Sequence, residues 1–204
     1  MLLLDYSEPN KKISDSLQDF EQKFDIDTKT GYVMIQEVAI TGEMLDEAKK
    51  RNASFEKKYG NIGTHRINKS KQRMTGYLAE VAIKRLCGVE YSDEDSVDFK
   101  YNGVTLDSKA QGCNSKPKEY YVATLYEEQK ARDVDLYIFS RVKNDWSKVW
   151  VCGFLSKEEF FKKSKLIPAG TENNNFTYDQ SRFEIEYSKL KSIKDLEKIN
   201  EKQS

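Results

Sequence analysis

With a single histidine, His65, in 204 residues, the chain lacks the material for a His-rich metal centre or for chemistry that pairs a histidine base with a histidine acid. Cysteine is nearly as scarce. Cys87, Cys113 and Cys152 stand far apart with no Cys-x-x-Cys pair, which leaves neither a disulfide framework nor a zinc knuckle. Apolar runs are short and the mean hydropathy is −0.78, so no segment reads as a membrane span. Met1-Leu2-Leu3-Leu4 meets Asp5 at once, without the basic start or the apolar length of a secretory signal, and a cytoplasmic location is expected. An excess of either charge is missing too. The 34 basic and 34 acidic residues cancel, so nucleic-acid binding has to be argued from local clusters. Carboxylates and lysines are what remains to carry chemistry.

What is there suits one domain over residues 1–204, with 1–31 as an N-terminal extension and 60–155 as its catalytic core. Aromatic residues make up 12% of the chain, which argues against disorder. Helical periodicity is visible at Ile13, Leu17, Phe20 and Phe24. Residues 32–40 read as a strand, and Thr41 can cap a helix over about 44–58 that Gly60 to Gly63 breaks. Residues 134–140 and 149–155 are nearly continuous apolar runs, expected as buried central strands. Ser156-Lys157-Glu158-Glu159 is a capping box opening a helix to about 165. Residues 120–126 suit a strand or the start of a helix, 172–175 a loop, 183–187 a last strand and 192–200 a short helix.

The most informative stretch is 97–111. Asn102-Gly103 between two extended segments is a strong hairpin signal. With these as the two-residue loop, Tyr101 lies opposite Val104 and Asp98 opposite Asp107. Alternation then places Asp98, Lys100, Thr105, Asp107, Lys109 and Gln111 on one face. Val97, Phe99, Tyr101, Val104, Leu106, Ser108 and Ala110 fall on the other. Two opposed carboxylates repel, and a hard divalent cation such as Mg²⁺ is an economical remedy. The plain alternative is a solvated hairpin face with weak surface ion pairs.

Upstream, 66–87 reads as a helix with an apolar stripe at Leu78, Ala79, Ala82, Ile83 and Leu86, stopped by Gly88. Glu80 falls on the rim of that stripe, where a purely structural helix needs no carboxylate. Just before it, Arg66, Lys69, Lys71 and Arg73 form a basic cluster able to touch phosphates, with Lys116 and Lys118 as further candidates. Tyr120, Tyr121 and Tyr126 suit either base stacking or the core.

The order helical Glu80, hairpin Asp98, then Asp107-x-Lys109 resembles the PD-(D/E)XK nuclease superfamily, with Val97 where that pattern has proline. The resemblance implies an α/β fold of the restriction-endonuclease type, a central mixed β-sheet flanked by helices. It further implies that Glu80, Asp98 and Asp107, with the Ser108 carbonyl, hold Mg²⁺, which Mn²⁺ can replace. Lys109 would stand beside the attacking water, and Gln111 matches the extra polar residue often found after the lysine. The expected activity is a Mg²⁺-dependent deoxyribonuclease, an endonuclease by preference, leaving 5′ phosphate and 3′ hydroxyl on its DNA substrate. A non-catalytic nucleic-acid-binding or protein-interaction module on the same fold is the alternative, and pairing of two copies into a homodimer is left open.

Overall fold

The computed structural model describes residues 35–60, 66–94, 96–173 and 176–197, and of residues 66–69 the main chain alone. The two apolar runs set its centre. They form strands β6 (Leu136–Lys143) and β7 (Lys148–Ser156), an antiparallel hairpin in which every residue from Val149 to Leu155 is buried. Around this pair a six-stranded mixed sheet is assembled in the order β1-β7-β6-β4-β3-β2, from β1 (Gln36–Ala39), β2 (Glu90–Tyr91), β3 (Phe99–Tyr101) and β4 (Val104–Cys113). The protein is therefore mixed α/β, as its alternating periodicities predict.

One pairing is parallel, that of β4 with β6, from Leu106↔Leu136 to Cys113↔Lys143. Parallel neighbours need a long crossover. Here the crossover contains β5 (Val122–Tyr126) and a 3₁₀ turn (Glu127–Ala131), which settles the ambiguous segment as strand first and turn second. With β8 (Lys165–Ile167) and β11 (Arg182–Glu186), β5 builds a second, antiparallel sheet in the order β5-β11-β8. This sheet and helix α3 (Lys157–Lys163) enclose a core of Tyr137, Phe139, Leu155, Phe160, Phe183 and Ile185.

Helix α1 (Gly42–Tyr59) starts where Thr41 caps it, the hydroxyl accepting the Met44 N–H at 3.3 Å. Helix α2 (Arg66–Cys87) has the predicted limits, ends on Gly88 at φ +66°, and packs on α1, β4, β6 and β7. Its apolar stripe explains the choice of face: Leu78, Ala79, Val81, Ala82 and Ile83 are fully buried. Helix α4 (Ile193–Glu197) contacts β7 and α2.

Several boundaries differ from the sequence reading. Helix α3 stops at Lys163 because Lys165–Ile167 is recruited as an edge of the second sheet. Glu172–Asn173, expected as loop, pairs as β9 with β10 (Phe176–Thr177) in a two-stranded ribbon. Positions 1–34, 61–65, 95, 174–175 and 198–204 lie outside the described residues, and with them the N-terminal extension, the first part of the 32–40 strand and the end of the last helix. No helix among the described residues is long and apolar enough to cross a membrane.

Candidate active site

The hairpin forms around the predicted turn, with Asn102 at φ 52° and Gly103 at φ 77°, the paired left-handed conformations of a type I′ turn. Tyr101↔Val104, Lys100↔Thr105 and Phe99↔Leu106 follow in register. There the regular ladder ends. Asp98 lies just outside β3, and its N–H donates at 3.0 Å to the carbonyl of Leu106, the residue already paired with Phe99. Val97, expected to share a face with Phe99, joins the Tyr137 and Phe139 core instead. One extra residue at Asp98 thus bulges the strand and corrects the simple opposition of Asp98 and Asp107. The two carboxyls still lie in one cluster, where the charge of Asp107 helps to raise Asp98.

The predicted polar face is divided: Lys100 and Gln111 are exposed, Lys109 is half-buried, and Asp107 alone among its β4 members is buried. Asp107 is 2% exposed and Glu80 8%. In-register neighbours across β4 and β6 share a face, so Asp107, Lys109 and Gln111 lie with Tyr137, Phe139 and Arg141. Lys109 Nζ is 5.8 Å from the Tyr137 ring centre, consistent with that placement.

The counter-charges include two arginines that the sequence did not single out. Asp107 Oδ2 accepts from Lys109 Nζ at 2.7 Å and from Arg132 Nη1 at 2.8 Å. Arg132 also donates through Nη2 to the Ser96 carbonyl at 3.0 Å, and its own carbonyl accepts from Lys157 at 2.5 Å. Arg51, on α1, forms an ion pair with Glu80 while its guanidinium lies 3.7 Å from the centre of the Tyr91 ring. These contacts span 25 and 29 positions of sequence, and no local motif marks either arginine.

Asp98 differs from the other two acids. Its Oδ2 accepts the Ser108 N–H at 2.7 Å, but burial, followed by the charges of Glu80 and Asp107, pushes its carboxyl well above the usual carboxylate range. Burial also raises Glu80, with Arg51 opposing it. Three carboxyls face three cations, Arg51, Lys109 and Arg132, so burial and not a surplus of acids is the larger cause of both shifts. Ser108 turns its N–H and carbonyl toward the β3 edge of β4, as does Leu106 two residues earlier.

The other expected residues are dispersed. Gln111 is exposed and lines a cleft with Lys109. Lys71 is exposed on α2, whereas Arg73 is bound to α1 through Glu56 at 2.7 Å and Asn52 at 3.2 Å, which makes it a helix–helix contact. The side chains of Arg66 and Lys69 lie outside the described residues. Lys116 and Lys118 are exposed beyond the Cys113 end of β4, about 20 Å along the strand from Asp107 at roughly 3.3 Å per residue. Glu37, on the far edge strand β1, is held low by Lys148 and Trp150 first and by the charge of Lys116 last.

Among the described residues no group of three or more His, Cys, Asp or Glu side chains stands ready to hold a metal ion. The reason is visible in the ion pairs, since Arg51, Lys109 and Arg132 draw the carboxylates toward themselves. The donor chemistry nevertheless suits a hard cation: oxygen ligands only, and in Asp98 a buried carboxyl with two acidic neighbours. No protein-family model matches the chain, and no curated protein matches it.

Proposed function

We propose that the protein is a Mg²⁺-dependent nuclease of the PD-(D/E)XK type, acting on DNA. The observation that carries this reading is the gathering of Glu80 from α2, Asp98 from the bulge before β3, and Asp107 and Lys109 from β4 into one largely buried cluster beside a cleft. Three elements distant in sequence have no packing reason to bring acids together.

Glu80, Asp98, Asp107 and the Ser108 carbonyl would hold the cation, which when bound offsets charge on the phosphoryl oxygens and on the departing 3′ oxygen. Lys109 Nζ orients the attacking water. The water oxygen would bond to phosphorus as the P–O3′ bond breaks, the water giving its proton to solvent and the departing 3′ oxygen taking one from solvent, which leaves a 5′ phosphate and a 3′ hydroxyl. Arg132 and Arg51 hold Asp107 and Glu80 in place.

Asp107→Ala and Lys109→Ala should each lower Mg²⁺-dependent nicking of supercoiled plasmid by about 100-fold or more, with EDTA silencing the wild type and Mn²⁺ restoring it. Full activity in either purified variant removes the assignment. The saturation of Asp107 and Glu80 by cations favours, as a second reading, a binding module without turnover. A gel-shift titration in EDTA that finds binding, joined to absence of cleavage with any divalent ion, would select it.

A further inference from the structure

The cleft that starts at Lys109 has a volume of about 530 Å³ and runs between α2, the second half of β4 and β5. Its size falls within the roughly 300–1,000 Å³ of sites that enclose small organic groups. Val122, Leu125 and Phe139 supply apolar wall, and Tyr126 adds an aromatic ring at 43% exposure. Two lining residues carry polar atoms without a hydrogen-bond partner, Ser140 Oγ, whose residue is 2% exposed, and Gln129 Oε1. Buried polar atoms left unpaired are rare, and one that faces a cleft points to a ligand that completes it.

We infer that this cleft receives one unstacked nucleobase of a strand lying across the acid cluster, so that the preferred substrate carries single-stranded or unpaired nucleotides. The inference rests on the nuclease reading and names its substrate class. A base has a flat face to stack on Tyr126 and an edge whose amino groups match Gln129 Oε1, an acceptor, while Ser140, in register with Ala110, lies on the face of the sheet opposite Lys109. A base held in a duplex stack offers neither face nor edge to a pocket of this shape.

Fluorescence anisotropy in EDTA, with a labelled single-stranded oligonucleotide and its matched duplex, tests this without turnover. The wild type should bind the single strand about tenfold more tightly or better. Tyr126→Ala, which removes the ring, and Thr124→Trp, which fills the cleft, should each cost about tenfold on the single strand and leave duplex binding unchanged, while Tyr126→Phe keeps the preference. Equal affinity for both forms, or unchanged single-strand binding in Tyr126→Ala and Thr124→Trp, overturns the inference. The two readings fail separately. A single-strand preference in a protein that never cleaves leaves the cleft assignment standing and sinks the nuclease, and Mg²⁺-dependent nicking with no such preference does the reverse.

Discussion

Asp98 is the residue on which charge and stability trade most directly. Its carboxyl is raised by burial first and by Glu80 and Asp107 next, so the folded state favours the protonated form more than the unfolded chain does. The sign follows from linkage: this contribution to stability is fully present below the unfolded pKa and is lost as pH rises through the elevated folded value. Asp98→Asn, neutral at every pH, should therefore melt above the wild type at neutral pH, and the two curves should converge as the pH falls below the ordinary aspartate range. Differential scanning fluorimetry across pH checks this. Mg²⁺ at neutral pH should raise the melting temperature of the wild type more than that of Asp98→Asn, because the cation finds a stronger site where all the acids ionise. A variant less stable than the wild type at neutral pH would contradict the cost of burying the Asp98 charge. Arg51 works in the opposite direction on Glu80. Arg51→Met should destabilise by about 1–3 kcal/mol in urea titration, less than a fully enclosed pair because the guanidinium keeps some solvent.

At the scale of elements, two irregularities shape the site. The first is the bulge at Asp98, which the hairpin rule could not foresee: a turn fixes the register next to it, whereas an extra residue farther along depends on what packs behind the strand. Here Val97 is drawn into the Tyr137 core. The second lies in β7, where the pairing passes from Phe139↔Gly153 to Ser140↔Val151 and leaves Cys152 over. Gly153 sits there at φ +136°, and a Cβ would stand 2.5 Å from the Lys191 carbonyl oxygen and 2.9 Å from Leu190 Cβ. Phe154 and Lys191 exchange backbone hydrogen bonds at 3.0 and 2.9 Å across this point, so the backbone has little freedom to retreat. Gly153→Ala should cost about 1–3 kcal/mol in urea denaturation. The same slip lies opposite Ser140, whose hydroxyl is left without a partner beside the cleft.

For the whole molecule, the legible part of the sequence was the part written locally. Helix α2 with its glycine stop, the Asn102-Gly103 turn, the Thr41 and Ser156 caps and the two apolar strands each carry their signal within a few residues. Asp98, Asp107 and Lys109 were legible together because the turn orders them, and Glu80 joined them only through the resemblance to the nuclease pattern. The second sheet was not. Its strands β5, β8 and β11 are short and far apart in the chain, and only tertiary pairing tells Lys165–Ile167 to leave the helix it follows. Arg51 and Arg132 escaped for the same reason, since the contact that matters for each is formed by the fold and not by its neighbours in sequence.

Strand β4 outruns its hairpin partner: β3 pairs only with Val104 to Leu106, while β6 accompanies β4 to Cys113. Past Ser108, whose N–H is taken by Asp98 Oδ2, no strand among the described residues pairs with the β3 side of β4, and Ala110 and Gly112 on that side line the cleft. Peptide groups repeat without regard to side-chain identity, so a polymer threaded along them is gauged by its shape and not by its letters. Digestion of a randomised oligonucleotide pool, followed by sequencing of the cut ends, should then return breakpoints that track unpaired positions and show no consensus word.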